Sequence, residues 1–310
     1  MPIPEPLLQL LKHKTPVRAA GVAASRQALA QLVRLYVPKP ALPEIKTNEV
    51  KAATPWRTAV RLYAPAGKGP FPLFVFFHGG GWVRGNLDLG DSICARLAQQ
   101  AACLVASLDY SLAPEVKFPG ALEEGAAAVA WLRGRGAGLR IDPTAFALGG
   151  DSAGANLAAA LCLLWREQQA AMPACQILFN PVLDLTVDYQ DAEPFSDPFL
   201  SVEDMLFYVD AYLPDRRAAA NPLASPLLAA TLAGLPPALI ITAEGDPLQH
   251  DGDRYAARLK AAGVPARLQS YAGVMHGFVA LAGVVDEADA AVALAAQYLR
   301  DCLAKEKPQT

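Results

Sequence analysis

Gly150, Ser152 and Gly154 meet the pattern Gly-x-Ser-x-Gly within the run Gly149-Gly150-Asp151-Ser152-Ala153-Gly154. The run lies where a short apolar stretch, 145–148, gives way to a long alanine- and leucine-rich one. A strand that turns sharply into a helix there, with small residues on both sides of a serine, pushes the hydroxyl out at the end of a sheet. The same turn aims the next backbone N–H, from Ala153, at whatever the serine attacks. The chemistry that suits this setting is nucleophilic attack on an acyl group. So short a pattern also arises by chance, and three further features have to agree with it.

A serine hydroxyl is a poor nucleophile at neutral pH and needs a base within hydrogen-bond reach. The chain holds four histidines, His13, His78, His250 and His276. His13 stands between Lys12 and Lys14, a setting for a solvated side chain. His276, in Val274-Met275-His276-Gly277-Phe278, falls after an expected strand and before the final helix. A loop there returns to the sheet edge that carries Ser152. A lone histidine in an apolar loop is more often structural, but this chain position makes His276 the leading base.

The base needs a carboxylate to fix its tautomer and stabilise the imidazolium. Asp246, in Ala243-Glu244-Gly245-Asp246-Pro247-Leu248, directly follows a strand expected at 238–242. Asp before Pro also suits a turn or a helix N-cap. Asp251 and Asp253 are rivals, but they fall inside or beside the next helix, and Asp246 is preferred. The order Ser152, Asp246, His276 is that of α/β-hydrolases and not of the chymotrypsin or subtilisin types.

The third feature is His78-Gly79-Gly80-Gly81-Trp82, after a strand expected at 73–77. Three glycines let the backbone pass close to a ligand and adopt positive φ. N–H groups freed there can bind the oxygen that becomes negative as a carbonyl is attacked, and losing one such donor typically slows an enzyme ~10²–10³-fold. A phosphate-cradling loop fits less well, because no Gly-Lys-Ser/Thr follows.

The elements that must position these groups alternate. Strands are expected at 58–63, 73–77, 104–108, 145–148, 176–179, 238–242 and 267–271, and helices at 122–133, 153–168, 254–262 and 285–302. This is the signature of a mostly parallel sheet flanked by crossover helices. Phe71-Pro72-Leu73-Phe74-Val75-Phe76-Phe77 is apolar throughout, as a strand covered on both faces would be. Two segments break the alternation: residues 1–45, interrupted by Pro16, Pro38, Pro40 and Pro43, and residues 184–225, with a helix near 202–212. Both look added to a core of 46–183 and 226–310, as a helical cap over the carboxyl ends of the strands.

Composition agrees with an α/β core of this kind. Among 310 residues, 53% are hydrophobic and 18% charged, the latter below the ~25% of an average soluble domain. The net charge of −3, with no basic cluster, argues against nucleic acid as a partner. Five cysteines, Cys94, Cys103, Cys162, Cys175 and Cys302, are odd in number and lack Cys-x-x-Cys spacing, which suits a reduced, cytoplasmic setting. The N-terminus lacks the basic leader and small-residue cleavage site of a secretory signal. No apolar run reaches the ~18 residues of a membrane span.

Taken together, the motifs resemble the hormone-sensitive-lipase family of α/β-hydrolase esterases, also called bacterial family IV, over nearly the whole chain. The resemblance is carried by His78–Trp82, by Asp109-Tyr110-Ser111-Leu112-Ala113-Pro114-Glu115, by Phe118-Pro119, and by Ala121-Leu122-Glu123. It continues through Gly150–Ala158, Ala224-Ser225-Pro226-Leu227, Asp246-Pro247-Leu248 and His276-Gly277-Phe278. It implies Ser152 as nucleophile, His276 as base and then acid, and Asp246 as its orienting partner. It also implies an oxyanion hole from the N–H groups of Gly80, Gly81 and Ala153, with His78 and Gly79 organising the glycine loop. Two departures stand out: Ser111 where the family commonly has arginine, and Gln249-His250-Asp251-Gly252 where it often has Arg-Asp-Glu-Gly.

The expected activity is hydrolysis of short- to medium-chain carboxylic esters through an acyl-enzyme, with no metal or cofactor. Amide or thioester hydrolysis by the same machinery is the alternative. A non-catalytic binding protein fits less well, because such relatives usually lose a triad member. The resemblance allows a homodimer. Pocket shape is expected to depend on residues such as Phe195, Phe199, Leu206 and Phe207.

Overall fold

The computed structural model describes residues 3–187 and 197–305; Phe195 lies outside them. Three helices come first: α1 (Glu5–Lys12), α2 (Val17–Ala20) and α3 (Val22–Tyr36). Strands β1 (Lys46–Lys51), β2 (Ala59–Ala64) and β3 (Phe71–Phe77) follow, then α4 (Asp91–Ala101), β4 (Leu104–Asp109), α5 (Gly120–Gly134) and α6 (Gly136–Leu139). The chain continues with β5 (Ile141–Asp151), α7 (Ala153–Glu167), β6 (Gln176–Phe179) and α8 (Val202–Tyr212). It closes with β7 (Ala238–Ala243), α9 (Gln249–Ala261), β8 (Ala266–Tyr271) and α10 (Asp286–Lys305).

The eight strands form one sheet in the order β1-β2-β4-β3-β5-β6-β7-β8. β2 runs antiparallel to β1 and β4, and every other neighbouring pair is parallel. Burial explains the apolar run of β3. Leu73, Val75 and Phe77 join a cluster with Leu122, Leu161 and Leu259 of α5, α7 and α9. Phe74 and Phe76 join a second cluster with Leu97 of α4 and Val292 and Leu299 of α10. With both faces covered, no polar alternation survives in the strand. This is the α/β-hydrolase architecture expected above.

The differences from expectation lie at the polar edge and in boundaries. β1, Lys-Thr-Asn-Glu-Val-Lys, is exposed at five of six positions, so it carries no hydrophobic pattern to read. It pairs only with β2, at the sheet edge. α4 was also absent from the expected helices: its buried face includes Ser92, Cys94, Ala95, Ala98 and Ala101, small residues of weak hydropathy. β5 runs well beyond 145–148 in both directions.

The first helices pack on the segment that contains α8. Val17 N–H donates to Asp204 Oδ1 at 2.9 Å, and Lys14 Nζ lies 2.8 Å from Asp204 Oδ2 while also donating to the Phe199 carbonyl. Asp204 in addition completes a capping box with Ser201 at the start of α8. Burial would raise this carboxyl, but Lys14, the Val17 N–H and Ser201 outweigh it and hold it below the usual range. On the other side, Arg26 of α3 donates to the carbonyls of Val83 and Ala113 and grips Glu115. No helix among the described residues is long and apolar enough to cross a membrane.

Asp204→Ala leaves the Val17 N–H without its acceptor and the Lys14 ammonium with the Phe199 carbonyl but no carboxylate. It is expected to cost about 1–3 kcal/mol in a denaturant titration and to make residues 3–36 the first site of limited proteolysis.

Candidate active site

β5 ends at Asp151 and α7 begins at Ala153, so Ser152 alone makes the turn, with φ 56° and ψ −116°. A non-glycine residue held at positive φ stores roughly 1–3 kcal/mol of strain and persists only where its surroundings over-determine it. Here Ser152 N–H donates to the Phe179 carbonyl at 2.8 Å, and the Ser152 carbonyl accepts from Asn156 N–H at 3.1 Å. Close approach does the rest. A Cβ on Gly150 would lie 2.6 Å from the Phe77 oxygen, and one on Gly154 would lie 2.6 Å from the His78 oxygen and overlap the Phe77 carbonyl. Only glycine lets the start of α7 sit this close to the end of β3.

Ser152, His276 and Asp246 come together in one hydrogen-bonded line. Ser152 Oγ is 2.9 Å from His276 Nε2, and His276 Nδ1 is 2.7 Å from Asp246 Oδ2. Asp246 Oδ2 also accepts from Asn180 Nδ2 at 2.8 Å, and its Oδ1 accepts from Leu248 N–H at 2.8 Å. With Nδ1–H directed at the carboxylate, the Nε2 lone pair faces the serine hydroxyl. Asp246 follows β7 and His276 follows β8, so all three groups gather at the carboxyl ends of parallel strands. Of the rival acids, Asp251 is turned elsewhere: it accepts from Leu183 and Asp184 N–H and anchors the chain after β6. His13 and His250 are exposed.

Gly80 and Gly81 of the glycine loop line a cavity together with Ser152 and His276. Gly80, Gly81 and Trp82 have φ of 117°, 63° and 59°. A Cβ on Gly81 would run into the Tyr208 ring, and one on Gly80 into the Arg84 carbonyl. Among the described residues, no acceptor is bonded to the N–H of Gly80, Gly81 or Ala153. His78 braces the loop from behind. Its ring stacks on Tyr110 with centroids 4.4 Å apart, its Nδ1 is 2.8 Å from the Gly79 oxygen, and its carbonyl accepts from Tyr110 Oη. Burial pulls this imidazole down to about 4, only partly offset by Gly79, so it is neutral at pH 7.

The electrostatics at His276 are dominated by carboxylates. Burial pulls the imidazolium down, but Asp246, by charge and hydrogen bond, together with Asp151 and Asp197, outweighs it and lifts the group to about 9. Asp151 is itself pushed up to about 6 by burial, against the pull of His276. Asp197 Oδ2 accepts from the His276 backbone N–H at 2.5 Å, while its Oδ1 accepts from Phe199 and Leu200 N–H. It therefore ties the histidine loop to the start of the α8 segment.

Residues 74–280 match the family described as having the α/β-hydrolase fold. The chain belongs to the hormone-sensitive-lipase family of α/β-hydrolases. It is 35% identical over 292 residues to the carboxylesterase NlhH of Mycobacterium tuberculosis, covering 92% of this chain and 91% of that one. It is 40% identical over 228 residues to the carboxylic ester hydrolase LipN of the same organism, covering 71% of this chain and 61% of that one. Among solved structures, an esterase of Pyrobaculum calidifontis superposes with a TM-score of 0.86 at 32% identity, covering 97% of this chain and 99% of that one.

The two departures from the family's usual sequence fall outside the hydrogen-bonded line. Ser111 N–H donates to Glu124 Oε2 at 2.8 Å, and His250 lies on the exposed face of α9. Sequence reasoning missed Asp151, Asn180 and Asp197. Asp151 was in the motif and could have been found; Asn180 directly follows β6, and Asp197 acts through a backbone N–H that no pattern marks.

Removing the Asp197 charge should make the imidazolium less stable. In Asp197→Asn, the rising limb of log kcat/KM against pH is therefore expected to move to lower pH than in the parent, where it is expected above the ordinary histidine range. A limb that stays or moves upward would contradict this account of the charge balance.

Proposed function

We propose that the chain is a carboxylesterase that cleaves esters through an acyl-enzyme on Ser152. The observation that carries this reading is the line Ser152–His276–Asp246 facing the unbonded N–H groups of the glycine loop. The names of its relatives as carboxylesterases and esterases agree with it.

In this mechanism Ser152 Oγ attacks the ester carbonyl carbon while its proton passes to His276 Nε2. The carbonyl oxygen becomes negative and accepts from Gly80, Gly81 and Ala153 N–H, donors fixed before the reaction and so needing no reorganisation. Asp246 stays ionised and stabilises the imidazolium. His276 then hands the proton to the leaving alkoxide oxygen as the C–O bond breaks. Water attacks the acyl-serine by the same route, and Ser152 departs with its proton restored.

We further assign residues 1–45 and 184–225 as a cap over this site, on a core of 46–183 and 226–310. Residues of both segments line the cavity beside Ser152: Leu29 and Val33 of α3, with Phe199, Met205 and Tyr208. Its free volume is about 70 Å³ and its wall is mostly apolar, which favours short- to medium-chain acyl groups over long ones. Leu206 and Phe207 pack against the core and are not among the lining residues.

Ser152→Ala is expected to lower kcat on a p-nitrophenyl ester by about 10⁴-fold or more, with the far-UV circular dichroism unchanged. Asp246→Asn keeps the shape but loses the charge, and should cost about 10²–10⁴-fold. Substantial residual turnover in Ser152→Ala would point to another nucleophile.

A further inference from the structure

Arg84 follows the glycine loop, and it lines the cavity that holds Ser152, Gly80 and Gly81. It is only 8% exposed. A charge so deeply buried is normally paired, yet among the described residues no carboxylate meets this guanidinium. Its Nη1 donates to Ser25 Oγ at 3.2 Å, and its central carbon stands 5.3 Å and 5.7 Å from the ring centroids of Tyr208 and Phe199. Its Nε is buried with no acceptor among the described residues. Two nearby acids are committed elsewhere, Asp204 to Lys14 and Val17 and Glu115 to Arg26, and Asp151, on the same cavity wall, makes no hydrogen bond or ion pair with it.

Its position is equally particular. Arg84 and Phe199 border both the small cavity beside Ser152 and a larger, partly open one, of about 490 Å³, lined mainly by the first three helices. Lys14 adds a second cation to the wall of the larger cavity. Most of the remaining lining is leucine, valine, alanine and aromatic. A desolvated guanidinium held by two rings and a hydroxyl has its planar donors already aimed, and the group that matches them is an anion.

We propose that Arg84 is an anion subsite, and that the preferred substrates are esters bearing a carboxylate that reaches it while the ester carbonyl lies at Ser152. A neutral ester leaves the buried donors unsatisfied, so charge sets the discrimination. The inference rests on the esterase reading above.

Two matched pairs test it, one for each arm of the ester: mono-p-nitrophenyl glutarate against p-nitrophenyl valerate, and 4-acetoxybutyrate against pentyl acetate. In the parent the acidic member of at least one pair should be preferred. Arg84→Met should lower that acid-to-neutral ratio of kcat/KM about tenfold or more, and Arg84→Lys should recover part of it. Arg84→Gln replaces the methionine variant if that one does not fold. A ratio unchanged in both pairs, or both members lost in proportion, would overturn the proposal and leave Arg84 as a brace for Tyr208 and Phe199. If the parent cleaves none of the four, the esterase reading fails, and the subsite is read by binding alone. Glutarate should then raise the thermal midpoint of the parent more than that of the variant, and equal shifts would refute the subsite.

Discussion

How closely two backbones can run governs this molecule. The end of β3 and the first turn of α7 touch with no side chain between them, through Gly150 and Gly154 against the carbonyls of Phe77 and His78. That contact forces the abrupt turn at Ser152 and with it the positive φ. It also brings the glycine loop, which continues from β3, alongside the same serine. One steric condition thus fixes the position of the hydroxyl and of the amides opposite it, and the strain at Ser152 is held by the packing of two strands and a helix.

Around the imidazole the structure assembles more negative charge than a single orienting acid requires. Asp246 holds Nδ1, Asp197 holds the backbone N–H, and Asp151 lies near enough to add its field. The arrangement favours the imidazolium, the form that exists only after the serine proton has moved. The cost falls on the resting state, where the same charge retains a proton that the base has to shed. His78 is the opposite case: burial keeps it neutral, with Asp109 no nearer than 4.0 Å to its Nε2, while it supports the glycine loop by stacking.

What the sequence made legible follows from how local each signal is. The serine turn, the glycine loop and the strand-end acid each write their requirement into four or five neighbouring residues, so Ser152, Gly80, Gly81 and Asp246 could be picked out directly. His276 followed from scarcity and chain order. The sheet was readable wherever both faces are buried, as in β3, and invisible in β1, where neither is. Asp197 and Arg84 gave no signal. One acts on a backbone N–H 79 positions away, and the other looks in sequence like an ordinary loop charge until its burial is known. Cavity size belongs to the same class, being set by residues of α3, α8 and the glycine loop that share one wall.

The tie between Val17 and Asp204 spans 187 positions. A ribosome releases the first three helices long before α8 exists, and with them Leu7, Leu11, Leu29 and Val33, which the finished protein buries. These helices are therefore made well before the carboxylate that ties them down. The Val17–Asp204 tie can form only once residue 204 has been made, so the wall of the cavity beside Ser152 joins segments synthesised far apart in time.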